Sequence, residues 1–110
     1  MATAERQDPR QLLTRTDGRF RDQEVAERFG RNLLKARHRA GFSQEELGKL
    51  TSLHRTHIGF MEAGQRLPRA DSLVKLTSAL AVEAAELLQG IDWIVTTPTR
   101  PGSFDIDPRG

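Results

Sequence analysis

The side chains with the widest chemical range lie in the middle of the chain. His54 and His57 stand three residues apart, a spacing at which two imidazoles can share a metal ion. The chain has no cysteine, however, and its only other histidine is His38. No metal site and no cofactor are therefore expected. Glu45 and Glu46 pair two carboxylates, but they follow Ser43 at a helix start, where such acids serve capping. No glycine-rich phosphate loop and no Ser-His-Asp set is discernible, so no enzyme is expected. The remaining chemistry is that of reversible contact. Gln44, Arg55, Thr56, Gln65, Arg66 and Arg69 are hydrogen-bond donors or cations suited to an anionic partner.

The charge balance fits that partner. Seventeen Lys/Arg against fifteen Asp/Glu give a net charge of only +2 over 110 residues. Residues 1–69 carry an excess of +5 and residues 70–110 a net of −3, so the two parts of the chain face different partners. The length allows one domain. No apolar run approaches the roughly 18 residues of a membrane span, and the N-terminus is charged where a signal peptide would be apolar. A cytoplasmic, nucleoid-associated protein is expected.

The positioning elements follow from periodicity. Residues 1–22 hold four arginines between Arg6 and Arg19 and no lasting apolar period. They read as a flexible basic arm, either a plain tail or an arm laid on an anionic surface. A first helix is expected after Asp22 as N-cap, with Val25, Phe29, Leu33, Ala36 and Ala40 on one stripe and Gly41 ending it. Ser43 to Glu46 forms a capping box for a second helix with Leu47 and Leu50 inward. A third helix covers about 54–62, a fourth about 70–80 with Leu73, Val74, Leu76 and Leu80 inward, and a fifth about 83–89 with Ala84, Leu87 and Leu88. Beyond Gly90, Trp93 to Thr97 and Ser103 to Asp107 have strand character and predict a hairpin. The alternative is an extended tail whose Trp93 and Phe104 pack on the helices. The expected fold is all-α, with five helices over 23–90 and a C-terminal extension over 91–110.

In residues 44–64 a short helix, a tight turn and a second short helix are fixed at a steep angle by Leu47, Leu53, Ile58 and Met61. Gly48 stands where the helices approach closely. Arg55, Thr56, Gly59 and Phe60 then point outward, the geometry that places a helix N-terminus in a major groove. This segment resembles the Cro/C1-type (XRE) helix-turn-helix of the lambda-repressor-like family. The match runs over about residues 29–90, with its Gln-x-x-Leu-small opening, its Ile-x-x-hydrophobic-Glu-x-Gly ending and a helix with paired leucines after Pro68.

The resemblance implies roles. Ser43 and Gln44 open the helix that meets a phosphate. Arg55 and Thr56 take the base-reading positions, Arg55 forking onto guanine and Thr56 meeting a thymine methyl or a phosphate. His54, His57 and Gly59 line the same contact. Phe60 either touches thymine methyls or folds back on Leu50 or the neighbouring loop. Gln65, Arg66 and Arg69 contact phosphates, and Arg37 with Glu62 forms a structural ion pair. Three departures weaken the pattern: Ser52 stands at a turn glycine, Ala81 at a Gly or Asn, and His54 at a Ser/Thr cap, leaving the recognition helix poorly capped.

The resemblance implies a sequence-specific regulator of transcription, a repressor, binding double-stranded DNA. One recognition helix reads too few bases, so a homodimer is expected on a palindrome with half-sites about 34 Å apart or a multiple of that. Helix 83–89 and residues 91–107 are its expected contact surface. The alternatives are a DNA-binding antitoxin with a toxin partner, a restriction–modification controller, or a bridging protein that reads no bases.

Overall fold

The computed structural model describes residues 17–109, with side chains from Gln23 onward; the greater part of the expected arm, residues 1–16, lies outside the described residues. The elements are α1 (Asp17–Ala40), α2 (Gln44–Thr51), α3 (Arg55–Glu62), α4 (Ala70–Leu80), α5 (Ala84–Leu87), β1 (Ile91–Ile94) and β2 (Ser103–Ile106). No described helix is long and apolar enough to cross a membrane.

Helix α1 starts five residues before the expected cap at Asp22, which lies inside it. Residues 18–22 contain no proline to stop the helix, so it continues back to Asp17. Phe29, Leu33 and Ala36 join Leu47, Ile58, Met61, Leu76, Leu80 and Leu87 in one buried cluster. Full burial of a Leu, Ile, Phe or Met side chain is worth about 1.5–3 kcal/mol, so this cluster sets the angles between helices.

Five apolar positions expected inside are outside. Ala40, Leu50, Val74, Ala84 and Leu88 are exposed. Leu50 and Val74 lie next to the buried stripes of α2 and α4, but none of the described helices covers that side.

Helix α2 has its capping box. The Glu46 amide donates to Ser43 Oγ at 3.0 Å, and the Ser43 amide donates to Glu46 Oε1 at 2.8 Å. The Ser43 amide, donating to that carboxylate, holds Glu46 below its usual pKa, and the Ser43 hydroxyl adds to the effect. Two turns adopt the left-handed backbone without glycine: Ser52 has φ 58° and Ala81 φ 57°. An L side chain pays about 1–2 kcal/mol there, and glycine gives back about 0.5–1 kcal/mol as unfolded-chain entropy. Ser52→Gly is therefore expected to stabilise by about 0.5–1 kcal/mol. A lowered midpoint in urea unfolding would contradict this.

The tail is a hairpin. Strands β1 and β2 pair antiparallel with Ile91 opposite Ile106 and Trp93 opposite Phe104. The first strand ends at Ile94 rather than Thr97, and Thr97 and Arg100 instead form a separate bridge that closes the tip. Trp93 and Phe104 meet edge to face with centroids 5.0 Å apart, so Trp93 packs within the hairpin and stays half exposed. Arg28, almost fully buried on α1, ties the hairpin down by donating to the main-chain oxygen of Asp107 and, at 3.5 Å, to that of Gln89. Asn32 donates to the Leu87 and Gln89 oxygens at 2.9 and 3.0 Å.

Candidate nucleic-acid interface

The interface is built on the junction of α2 and α3. Gly48 is buried there, and a Cβ on it would lie 2.6 Å from the Leu53 oxygen. Only glycine lets the two helices approach so closely. The first turn of α3 then carries Arg55 and Thr56, both exposed, and the second carries Gly59 and Phe60.

The start of α3 is better capped than its sequence implies. His54 Nδ1 accepts from the Thr56 amide at 3.1 Å. An accepting nitrogen carries no proton, so His54 caps as the neutral ring protonated on Nε2. The Thr56 hydroxyl lies 2.8 Å from the same nitrogen and is turned toward the cap. The expectation of a poorly capped helix is therefore corrected: an imidazole nitrogen can accept as a serine oxygen does.

At its far end α3 is held by an ion pair. Arg37 Nε lies 2.5 Å from Glu62 Oε2 and Nη2 lies 2.9 Å from Oε1, a two-pronged contact with both side chains at least nine-tenths buried. The carboxylate raises the Arg37 pKa above its ordinary value. Arg37 Nη1 also donates to the Phe42 oxygen at 2.9 Å, so the pair ties α1, the α1–α2 turn and α3 together.

Gln44 belongs to this network. Its amide nitrogen donates to Glu62 Oε1 at 2.9 Å, and its side chain would lie 3.6 Å from a Cβ on Gly59. Glu62 only accepts, so the NH2 end of Gln44 must face it, and one N–H remains for another acceptor. Gln44 is thus already oriented by Glu62.

All eleven expected contact residues are accessible: Ser43, Gln44, His54, Arg55, Thr56, Phe60, Gln65, Arg66 and Arg69 are exposed, and His57 and Gly59 are half-buried. Phe60 does not bury itself on Leu50, since both side chains are exposed; the Arg66 guanidinium lies over its ring, 5.6 Å from the centroid. Arg69 stands apart, in an exposed pair with Asp71 at 3.7 Å, a contact worth about 0–1 kcal/mol.

Sequence reasoning missed Gly30, Arg28 and Asn32. Arg28 lies three residues after Val25, on the flank of the apolar stripe, which was the one available signal. No group of three His, Cys, Asp or Glu suited to a metal occurs among the described residues. A cleft of about 190 Å³ lies between α1, α5 and the hairpin, lined in part by Arg28, Lys35, Arg39 and Arg109. Arg39 there pairs with Glu86 and Arg109 with Asp107, and the latter contact holds Asp107 below its usual pKa.

A model of the HTH_3 helix-turn-helix family matches residues 33–87. Control protein C.SmaI of Serratia marcescens is 32% identical over 65 residues, which cover 59% of this chain and 77% of that protein. Among solved structures, the restriction-modification controller protein C.AhdI from Aeromonas hydrophila is similar with TM-score 0.57 and 37% identity, covering 59% of this chain and 94% of that one. The P22 c2 repressor protein, solved in complex with a synthetic operator, is similar with TM-score 0.54 and 26% identity, covering 56% of this chain and 94% of that one.

Proposed function

The chain belongs to the HTH_3 helix-turn-helix family, and from that premise we propose that it is a sequence-specific, double-stranded-DNA-binding regulator of transcription. The observation that carries this is the exposed first turn of α3, fixed at the other end of the helix by the Arg37–Glu62 pair. In this reading α3 enters the major groove and Arg55 forks onto a guanine. Gln44 gives its remaining N–H to a phosphate beside it, and Arg66 and Arg69 meet phosphates farther along.

Selection of bound duplexes from a random library should enrich one motif with two related half-sites. Arg55→Ala should lose about 1–3 kcal/mol of discrimination at one base pair of each half-site and leave the others intact. The absence of any enriched motif at low salt would refute the regulator reading. An unchanged motif with Arg55→Ala would favour a protein that bridges partners without reading bases.

The controller form of this reading is favoured over the antitoxin form, because C.SmaI and C.AhdI are both controllers at 32% and 37% identity. It predicts endonuclease and methyltransferase genes beside this one, where an antitoxin would adjoin a toxin gene.

The working unit in this proposal is a homodimer. Leu88, Trp93, Ile94 and Val95 are 40%, 54%, 36% and 66% exposed, apolar side chains at the end of α5 and on both faces of the hairpin. Deleting the hairpin would uncover Arg28, so point changes test the assignment better. Leu88→Glu with Ile94→Glu should give a folded monomer in sedimentation at micromolar concentration. A dimer that persists would place the contact elsewhere.

A further inference from the structure

Phe60 occupies a position of α3 from which a polar side chain could reach a base, yet it is a phenylalanine with 43% of its surface in solvent. What lies over its ring is the Arg66 guanidinium, 5.6 Å from the centroid. The backbone between the two is fixed. Gly64 adopts φ 76°, the Gln65 amide donates to the Phe60 oxygen at 2.9 Å, and the Gly64 amide donates to the Met61 oxygen at 3.1 Å. These two bonds form the Schellman closure of a helix C-terminus. A Cβ at Gly64 would lie 3.0 Å from Glu27 Cα, so this turn is also pressed against α1. The Arg66 main chain is thus held, while its exposed side chain has several rotatable bonds and, among the described residues, rests on the ring alone.

We propose that Phe60 is a positioning residue: its ring holds the Arg66 guanidinium in place for a DNA phosphate, and it does not itself read a base. The attraction is that of a cation for the negative face of an aromatic ring. It orders a long side chain before DNA arrives, so less rotamer freedom is lost on binding. The inference rests on the DNA-binding reading above and adds to it the division of labour between these two residues.

The test is the salt dependence of affinity for the selected duplex, measured with the full chain. Phe60→Ala removes no charge. It should nevertheless weaken binding about two- to fivefold and lower the slope of log K against log salt by up to about one, as Arg66→Ala does. In an Arg66→Ala background, Phe60→Ala should have no further effect. Phe60→Tyr should keep wild-type behaviour, and Phe60→Leu, which keeps apolar bulk without the ring, should behave as Ala. In the free protein, the Arg66 side-chain protons should show a ring-current shift that Phe60→Ala abolishes and Phe60→Tyr preserves. An unchanged slope with an altered base preference in Phe60→Ala would overturn the proposal in favour of direct reading by the ring. Wild-type affinity in Phe60→Leu would overturn it as well. A wild-type protein that binds no duplex would refute the DNA-binding reading itself, an outcome distinct from either of these.

Discussion

Arg37→Ala is expected to destabilise the domain by about 3–5 kcal/mol, the cost of leaving a buried charge without its partner. Among the described residues, Glu62 would keep only the Gln44 amide, at 2.9 Å, with 6% of its side chain in solvent. Arg37→Lys would recover little, because one ammonium cannot span both carboxylate oxygens and the Phe42 oxygen as the guanidinium does. Removing both charges is different. Arg37→Met with Glu62→Leu relieves the desolvation of two ions and is expected to be neutral or stabilising by up to about 4 kcal/mol. That pair of changes would also release Gln44, so DNA affinity should fall while stability holds. Urea unfolding of the three variants, with a binding assay on the double variant, separates the two effects. A loss below about 1 kcal/mol for Arg37→Ala would show that the pair is solvated in practice and worth no more than a surface contact.

Gly30→Ala is the second change with a large expected effect. In an open helix it would stabilise by about 0.8–1 kcal/mol, since alanine is the better helix former. Here the new methyl would lie 2.5 Å from the Met61 oxygen, 2.6 Å from the Glu62 oxygen and 3.0 Å from the Glu62 carbonyl carbon. All three are backbone atoms, so no side chain can swing away. Overpacking of this kind costs about 1–3 kcal/mol and exceeds the gain in propensity. Relief requires α1 and the end of α3 to separate, which would also tilt α3. Thermal unfolding should show a lowered midpoint, together with weaker binding to the selected duplex; a raised midpoint would mean that the helices can part freely.

Much of this was legible in the sequence, for local reasons. Ser43 and Glu46 are three residues apart and cap each other. Helix α4 runs over Ala70–Leu80 as its leucine spacing requires. The positive φ at Ser52 and Ala81 was foreshadowed by the loss of a usual glycine or asparagine. What was not legible depends on partners far along the chain. Over the eight residues of α2 the helical period puts Leu47 and Leu50 on neighbouring lines, and only the placement of the other helices decides that the first is buried and the second exposed. Gly30 reads as a weak spot in a helix until the end of α3 is seen against it. By resemblance Gln44 is expected to meet a phosphate, but nothing in the sequence announces its hold on Glu62, eighteen residues away. Phe60 left two readings open, and the structure places the Arg66 guanidinium against its ring.

The anchoring of the hairpin by Arg28 bears on the order in which the chain completes itself. The guanidinium sits near the start of the described structure, and its acceptor on Asp107 lies 79 residues later. Contacts among α2, α3 and α4 span short loops and can form early, whereas closing so long a loop costs more entropy and comes late. During synthesis, the helices can assemble while Arg28 remains hydrated. The guanidinium is withdrawn from water only once Asp107 has emerged from the ribosome. The domain is therefore completed by its hairpin, with β2 sealing α1.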